Sequence, residues 1–129
     1  MSAEKLRVLI VDDDELHLTM VQRLLASYGV EVIACNSPLG VSNQVRHEKP
    51  DVVLLDVNMD KLTGDRVLGV ARRHAPPGTQ FVLYSANDES MLRSLAQTVE
   101  ADGWISKSAD PEVLVRKLEE FGRRRRAQA

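Results

Sequence analysis

Short apolar runs alternate along the chain with longer segments whose apolar residues recur every three to four positions. The short runs are rich in Val, Leu and Ile, which is typical of strands buried on both faces of a parallel sheet. The longer segments have the spacing of amphipathic helices. Strands are predicted at residues 6–11, 30–36, 51–57, 80–85 and 103–106, each followed by a helix. This order predicts one α/β domain with a parallel sheet, helices on both faces and right-handed crossovers.

Capping residues indicate where some of these helices begin. Ser37-Pro38 predicts the start of the second helix, which runs to about Glu48. Either Asn87 or Asp88 is predicted to cap the fourth helix. The apolar residues at helical spacing are Leu16, Met20, Val21, Leu24 and Leu25 in the first helix, Met91, Leu92, Leu95, Ala96 and Val99 on one face of the fourth, and Val113, Leu114, Leu118 and Phe121 on the inward face of the fifth.

Polar side chains stand where four of the five predicted strands end. Three aspartates at residues 12–14 follow the first strand, Asp56 ends the third, Ser85 ends the fourth, and Lys107 follows the fifth. The carboxyl ends of parallel strands meet at one edge of the sheet, which is where ligands bind in open α/β sheets. We therefore expect these carboxylates, the hydroxyl and the ammonium to converge on a single pocket.

The chemistry of this set points to metal-dependent phosphoryl transfer. Asp12, Asp13 and Asp56 would repel one another unless a cation intervenes, and carboxylate oxygens without histidine or thiol favour a hard cation such as Mg²⁺. Asp56 alone ends the central apolar run, so it is the best-placed nucleophile and could form an acyl phosphate. Ser85 would then donate a hydrogen bond to the phosphoryl oxygens, and Lys107 would neutralise their charge.

Each of these residues also has an ordinary structural interpretation. The acidic triplet could cap a helix on a solvated loop, and Asp56 could belong to a turn. Ser85 could be a turn hydroxyl, and Lys107 a solvated lysine. Their joint placement at the ends of apolar strands favours the functional interpretation over the four separate ones.

The same motifs carry a family resemblance. LIVDDD, LLDVNM followed by Gly64, LYSA and WISK resemble the receiver domains of bacterial two-component response regulators, especially the chemotaxis type. The similarity extends over about residues 6–122. It implies a doubly wound (βα)5 flavodoxin-like fold, whose five-stranded parallel sheet has the order 2-1-3-4-5 with helices on both faces.

The resemblance also implies roles for residues at the acidic site. Asp56 would be the phosphoacceptor, phosphorylated by a histidine kinase or a phosphotransfer protein. Asp12, Asp13 and Asp56 would bind Mg²⁺, together with the backbone carbonyl of Asn58. The domain would help its own phosphorylation and dephosphorylation without being an enzyme that turns over a free substrate.

Three further residues have implied roles in switching. The Ser85 hydroxyl would move toward the phosphoryl group, and Lys107 would be the charge partner of the phosphoryl group. Trp104 lies where the family usually has a Tyr or Phe that changes rotamer on activation. The readout surface would comprise the fourth helix, fifth strand and fifth helix, which would bind a downstream protein or a second copy of the chain.

The sequence departs from the family pattern at three positions. Asp60 stands where the family commonly has a proline, and Ser108 follows Lys107 where a proline, often cis, is typical. Since a cis non-proline bond costs about 2.5–4 kcal/mol, we expect the Lys107–Ser108 peptide to be either strained or trans. Trp104 is larger than Tyr and lacks a hydroxyl, so it would swing less freely.

Composition narrows the remaining function classes. The chain has 129 residues, a net charge of −2 and one cysteine, Cys35, which predicts one cytoplasmic domain with Cys35 as a buried hydrophobe. No apolar run is long enough for a membrane span. The net charge of −2 does not indicate binding to nucleic acid. His17, His47 and His74 show no ligand spacing and are predicted to be surface residues.

The arginine run at residues 123–126 leaves three alternatives open. It is the solvated end of the last helix, a linker to an output domain, or a patch for an acidic partner. The predicted division is a receiver domain at residues 1–122 and a basic tail or linker stub at residues 123–129. For the domain itself, the alternatives to a phosphorylated switch are a receiver-like interaction scaffold that is not phosphorylated and a small metal-dependent phosphohydrolase.

Overall fold

The computed structural model describes residues 5–37, 40–56, 64–86 and 88–128, with the backbone alone at 64–67, 126 and 128. Five strands alternate with five helices along the chain. The elements are β1 Arg7–Val11, α1 Glu15–Ser27, β2 Glu31–Cys35, α2 Val41–Glu48, β3 Val52–Asp56, α3 Gly64–His74, β4 Gln80–Ser85, α4 Glu89–Val99, β5 Gly103–Ser106 and α5 Pro111–Gln128.

The five strands form one parallel sheet in the order β2-β1-β3-β4-β5. The predicted fold class and strand order are therefore confirmed. The register aligns the carboxyl ends of the strands: Val11 is paired with Cys35 and Leu55, and Ser85 with Ser106. Residues that follow β1, β3, β4 and β5 consequently meet at one edge.

Two apolar clusters cover the two faces of the sheet, because successive strand residues point to opposite sides. In β1, Val8 and Ile10 belong to the cluster under α1 and α5, whereas Leu9 and Val11 belong to the cluster under α2, α3 and α4. Every residue of β3 and β4 is buried. This double burial explains why the strands appear in the sequence as continuous apolar runs.

The start of α4 agrees with its predicted cap, whereas the start of α2 does not. Asp88 is the N-cap of α4, and its Oδ1 accepts a hydrogen bond from the Met91 N–H at 3.0 Å; Asn87 lies outside the described residues. The N-cap of α2 is Gly40, without a side-chain hydrogen bond. The helix therefore begins later than Ser37-Pro38 predicts.

The inward faces of α1 and α4 differ from the predicted pattern. Leu16, Met20 and Met91 are 71%, 59% and 58% exposed, so these three residues of the predicted apolar pattern do not face the core. In α1 the buried residues are Leu18, Val21 and Leu25. The helix carries two apolar stripes, and the sheet selects the one that fits beside α5.

The arginine run is part of α5, since this helix continues to Gln128. Arg125 Nε lies 3.7 Å from Asp51 Oδ1, and the Arg124 guanidinium lies 4.9 Å from the centre of the Phe121 ring. Residues 124 and 125 thus contact residues of the domain, and the boundary at residue 122 stays a prediction. No described helix has the length and apolar character needed to cross a bilayer.

Candidate functional site

The candidate site lies at the carboxyl edge of the sheet, where strand ends deliver five polar residues. Asp12 and Asp13 follow β1, Asp56 ends β3, Ser85 ends β4, and Lys107 follows β5. β1, β3 and β4 are adjacent in the sheet, and β5 is next to β4. The structure therefore brings these residues of the predicted site to one edge.

Three carboxylates form an acidic cluster at this edge. Asp12, Asp13 and Asp56 each offer an oxygen, and the three oxygens lie within 4.8 Å of one another. Asp12 and Asp56 are buried, whereas Asp13 is exposed. An all-oxygen set with one side open to water fits Mg²⁺, which binds through few carboxylates and keeps several waters.

Lys107 bridges the two buried carboxylates. Its Nζ lies 3.0 Å from Asp12 Oδ2 and 3.5 Å from Asp56 Oδ2, and its side chain is 17% exposed. The ammonium therefore offsets part of the repulsion between Asp12 and Asp56. Its direct contact with both acids agrees with the expectation that residues after β5 meet them at one edge of the sheet.

Asp12 is held by three groups. Its Oδ1 accepts a hydrogen bond from the Asp14 N–H at 3.0 Å, and its Oδ2 contacts Lys107 Nζ and His17 Nδ1. Burial acts to raise the pKa of Asp12. The hydrogen bonds from Asp14, Lys107 and His17, together with the charge of Lys107, outweigh burial and hold the pKa below its ordinary value of 3.8.

His17 belongs to this site, which corrects its prediction as a surface residue. Its Nδ1 lies 2.9 Å from Asp12 Oδ2, and the side chain is 25% exposed. Its ring centre lies 5.9 Å from that of Tyr84. Ligand spacing in the sequence could not identify it. The available signal was its place in the first turn of a helix that begins directly after the acidic triplet.

The third acid of the triplet starts that helix. Asp14 is the N-cap of α1, and its Oδ1 accepts hydrogen bonds from the N–H groups of Leu16 at 3.1 Å and His17 at 3.2 Å. This cap stabilises the first turn of α1, in which His17 lies beside Asp12. Asp14 is therefore a structural residue beside the cluster.

The end of β4 lies beside Asp12 and Lys107. Ser85 is fully buried, and its carbonyl accepts a hydrogen bond from the Lys107 N–H at 2.8 Å. Burial, followed by the negative charge of Asp12, raises the pKa of Tyr84 to about 12. The ring of Tyr84 also lies below Lys107, whose Nζ is 5.6 Å from its centre.

The loop after β5 contains the Lys107–Ser108 peptide, which the sequence predicts to be either strained or trans. No described peptide bond is cis, so the Lys107–Ser108 bond is trans. Ser106 and Ser108 are joined by a 2.7 Å contact between their hydroxyls, and the Ser108 N–H donates to Ser106 Oγ at 3.1 Å. Asn58 and Asp60 lie outside the described residues.

Trp104 lies on β5 between α4 and α5. The Arg93 guanidinium is 5.9 Å from the centre of its indole, and Lys117 Nζ is 5.4 Å from it. The indole also packs against the cluster under α2, α3 and α4. Cations at these distances attract an indole face, so Trp104 is held from both neighbouring helices.

The sequence and fold are similar to those of known proteins over most of the chain. It is 28% identical to the alkaline phosphatase synthesis transcriptional regulatory protein PhoP of Bacillus subtilis over 118 residues, 92% of this chain and 49% of that regulator. The chain spans about half of the length of its curated relatives, or less. The signal receiver domain of the putative response regulator NarL from Mycobacterium tuberculosis has a TM-score of 0.80 at 28% identity, covering 94% of this chain and 98% of that one.

A second structure shares the fold at lower identity. The CheY-like receiver domain protein from Methanospirillum hungatei has a TM-score of 0.83 at 22% identity, covering 96% of this chain and 98% of that one. The family model for the response regulator receiver domain matches residues 8–119. The chain therefore belongs to the family of receiver domains of two-component response regulators.

Proposed function

We propose that this domain is a phosphorylation-controlled switch whose phosphoacceptor is Asp56. The donor is the phosphohistidine of a histidine kinase or a phosphotransfer protein, and the compartment is the cytoplasm. The observation that carries the proposal is the position of Asp56, buried at the end of β3, with Lys107 Nζ at 3.5 Å and with Asp12 and Asp13 beside it.

Asp56 is the best nucleophile of the three acids. Asp12 has its Oδ2 engaged by Lys107 and His17, and its lowered pKa means that its charge is already well stabilised. Asp13 is exposed to water. In the transfer, an oxygen of Asp56 forms a bond to phosphorus while the bond between phosphorus and the donor nitrogen breaks, which leaves an acyl phosphate on Asp56.

Receiver domains bind Mg²⁺ at an acidic pocket, and the all-oxygen cluster fits that ion. Asp12, Asp13 and Asp56 would hold it, and we propose the backbone carbonyl of Asn58 as a further ligand. When bound, Mg²⁺ supplies charge neutralisation for the phosphoryl oxygens.

Lys107 and Ser85 complete the proposed site. Lys107 lies between the two buried acids, so a modest movement of its ammonium would pair it with the phosphoryl group on Asp56. Ser85 ends the strand next to β3, and its hydroxyl would donate a hydrogen bond to a phosphoryl oxygen. Both groups act by stabilising charge that arrives with the phosphoryl group.

Receiver domains interact with histidine kinases and with downstream effectors. We propose α4, β5 and α5 as the surface that binds the downstream protein, with a homodimer as a second use of the same surface. Trp104 lies on this surface, on the strand next to Ser85. A displacement of Ser85 would therefore change the surroundings of Trp104 and of the cations beside it.

Incubation with acetyl phosphate and Mg²⁺, followed by intact mass measurement, tests this proposal. We expect addition of one phosphoryl group to the wild type and to the control Asp14→Asn, because asparagine is also a good N-cap. Asp56→Asn should gain nothing, since an amide does not attack phosphorus. Incorporation by Asp56→Asn at the wild-type rate would refute the assignment.

Two other results would favour the rival functions. A wild type that gains no phosphoryl group would support an interaction scaffold that is not phosphorylated. Continuous release of phosphate from diverse phosphate esters would support a phosphohydrolase.

A further inference from the structure

His17 holds a buried carboxylate in a way that the proposed phosphotransfer does not itself explain. Its Nδ1 lies 2.9 Å from Asp12 Oδ2, and three quarters of its side chain is shielded from water. Asp12 is 1% exposed. Burial strengthens this polar contact, because little water competes for Asp12 and the His17 ring is mostly shielded.

The contacts of Asp12 fix the orientation of its carboxylate. An ionised carboxylate has about four lone-pair positions on its two oxygens. Oδ1 accepts from the Asp14 N–H, whereas Oδ2 is shared by Lys107 and His17. The three donors come from the loop after β1, from α1 and from the loop after β5, so rotation of the carboxylate would break at least one of these contacts.

The imidazole is itself fixed in place. The backbone N–H of His17 donates to the Asp14 side chain in the first turn of α1, and the imidazole ring lies beside that of Tyr84. The carboxylate only accepts hydrogen bonds while it is ionised, so Nδ1 must carry the hydrogen in this contact. Tyr84 therefore limits the ring's movement while Nδ1–H points at Asp12.

His17 and Lys107 differ in the number of acids that they contact. Lys107 also lies 3.5 Å from Asp56, and under the proposed function it turns to the phosphoryl group. His17 contacts Asp12 alone among the three acids of the cluster, according to the described hydrogen bonds and ion pairs. Its contact with Asp12 therefore requires no contact with Asp56.

We propose that His17 is a positioning residue that holds the Asp12 carboxylate in place beside Asp13 and Asp56, and thereby raises the affinity of this cluster for Mg²⁺. The proposal rests on the proposed function, in which these acids bind the ion. Partners that orient a ligating carboxylate typically change metal affinity by 10–100-fold when they are removed.

Calorimetric titration of Mg²⁺ into the metal-free full chain tests this role. His17→Ala should weaken binding about tenfold. His17→Asn should recover most of the affinity, because its amide N–H₂ occupies nearly the position of Nδ1–H. His47→Ala is the matched control, since His47 is an exposed histidine on α2, and it should bind Mg²⁺ as the wild type does. Thermal unfolding of each variant without metal verifies that it folds.

Each alternative gives a different result. Unchanged affinity in His17→Ala would show that the contact does not serve the metal site, and tighter binding would show that His17 competes with the ion for Asp12. Equal weakening in His17→Ala and His17→Asn would assign the effect to ring packing on Tyr84. Each of these results overturns the proposal, as does a wild type that binds no Mg²⁺. Phosphorylation of Asp56 is judged separately by intact mass, so failure of the two proposals can be told apart.

Discussion

Replacing Lys107 by methionine should destabilise the protein and make its stability depend more strongly on Mg²⁺ than that of the wild type. The substitution keeps an unbranched side chain of similar length and removes the charge. Lys107 Nζ lies 3.0 Å from Asp12 and 3.5 Å from Asp56. Without the ammonium, two buried carboxylates remain close together with no cation between them, and their repulsion favours unfolding.

The magnitude follows from these distances. Each pair contributes about 5 kcal/mol of Coulomb attraction at an effective dielectric constant of about 20. Desolvation of the ammonium offsets much of this, and removal of one partner from a buried pair typically costs about 3–5 kcal/mol. Because the exposed Asp13 shows that water reaches the cluster, we expect the lower end. A loss of about 3 kcal/mol would lower Tm by about 10 °C.

The assay is urea unfolding of the wild type, Lys107→Met and the control Lys117→Met, with and without Mg²⁺. Lys117 lies over Trp104, away from the acids, so its replacement should cost about 1 kcal/mol or less. Mg²⁺ should stabilise Lys107→Met more than the wild type, because a cation would replace the missing ammonium. Equal losses in the two variants, or no additional Mg²⁺ effect, would refute the electrostatic role of Lys107.

The pH dependence of this loss has a definite sign. The folded-state pKa of Asp12 lies below 3.8, so the stabilisation of its charged form is fully present above pH 3.8. It disappears as the pH falls through the folded pKa. The difference in unfolding free energy between the wild type and Lys107→Met should therefore be largest at neutral pH and shrink in acid.

Three further predictions use other parts of the site. Asp14→Ala should cost about 1 kcal/mol of stability through loss of the α1 cap, and calorimetry should show Mg²⁺ affinity close to that of the wild type. The pKa of Tyr84 is raised to about 12 in the folded protein, from an ordinary value of 10.0. The folded state therefore favours the neutral phenol, and the stability of the protein falls as the pH rises from 10 to 12. Unfolding free energies should show a decrease of about 2–3 kcal/mol over this interval that Tyr84→Phe lacks. Trp104 emission should change when beryllofluoride and Mg²⁺ are added, and Ser85→Ala should reduce the change; a constant emission spectrum despite verified binding would show a fixed indole.

The sequence predicts the sheet better than it predicts the helix faces. β4 and β5 have their predicted bounds. In β4, which is buried along its whole length, the apolar run ends at the polar Ser85. In α1, Leu16 and Met20 form a second apolar stripe beside the buried one. Only packing against the sheet decides between two such stripes, so periodicity alone could not exclude Leu16 and Met20.

The same difference separates the predicted site residues from the one that was missed. Asp12, Asp56 and Lys107 come from strand ends, and the register of a parallel sheet brings such ends together whatever the loops do. His17 reaches Asp12 from the first turn of α1, which Asp14 caps, and Tyr84 lies beside the His17 ring. Such contacts depend on several local structures at once.

The charges at the strand ends indicate why the site can work as a switch. Among the described residues, three carboxylates face one ammonium, so the cluster has a negative excess that favours a divalent cation. A phosphoryl group on Asp56 would replace one charge by up to two and would compete with Asp12 for Lys107. If His17 still holds Asp12, Lys107 can leave without releasing that carboxylate from the cluster. The ammonium would then be the group that changes partner, while the imidazole would keep the Asp12 carboxylate in place.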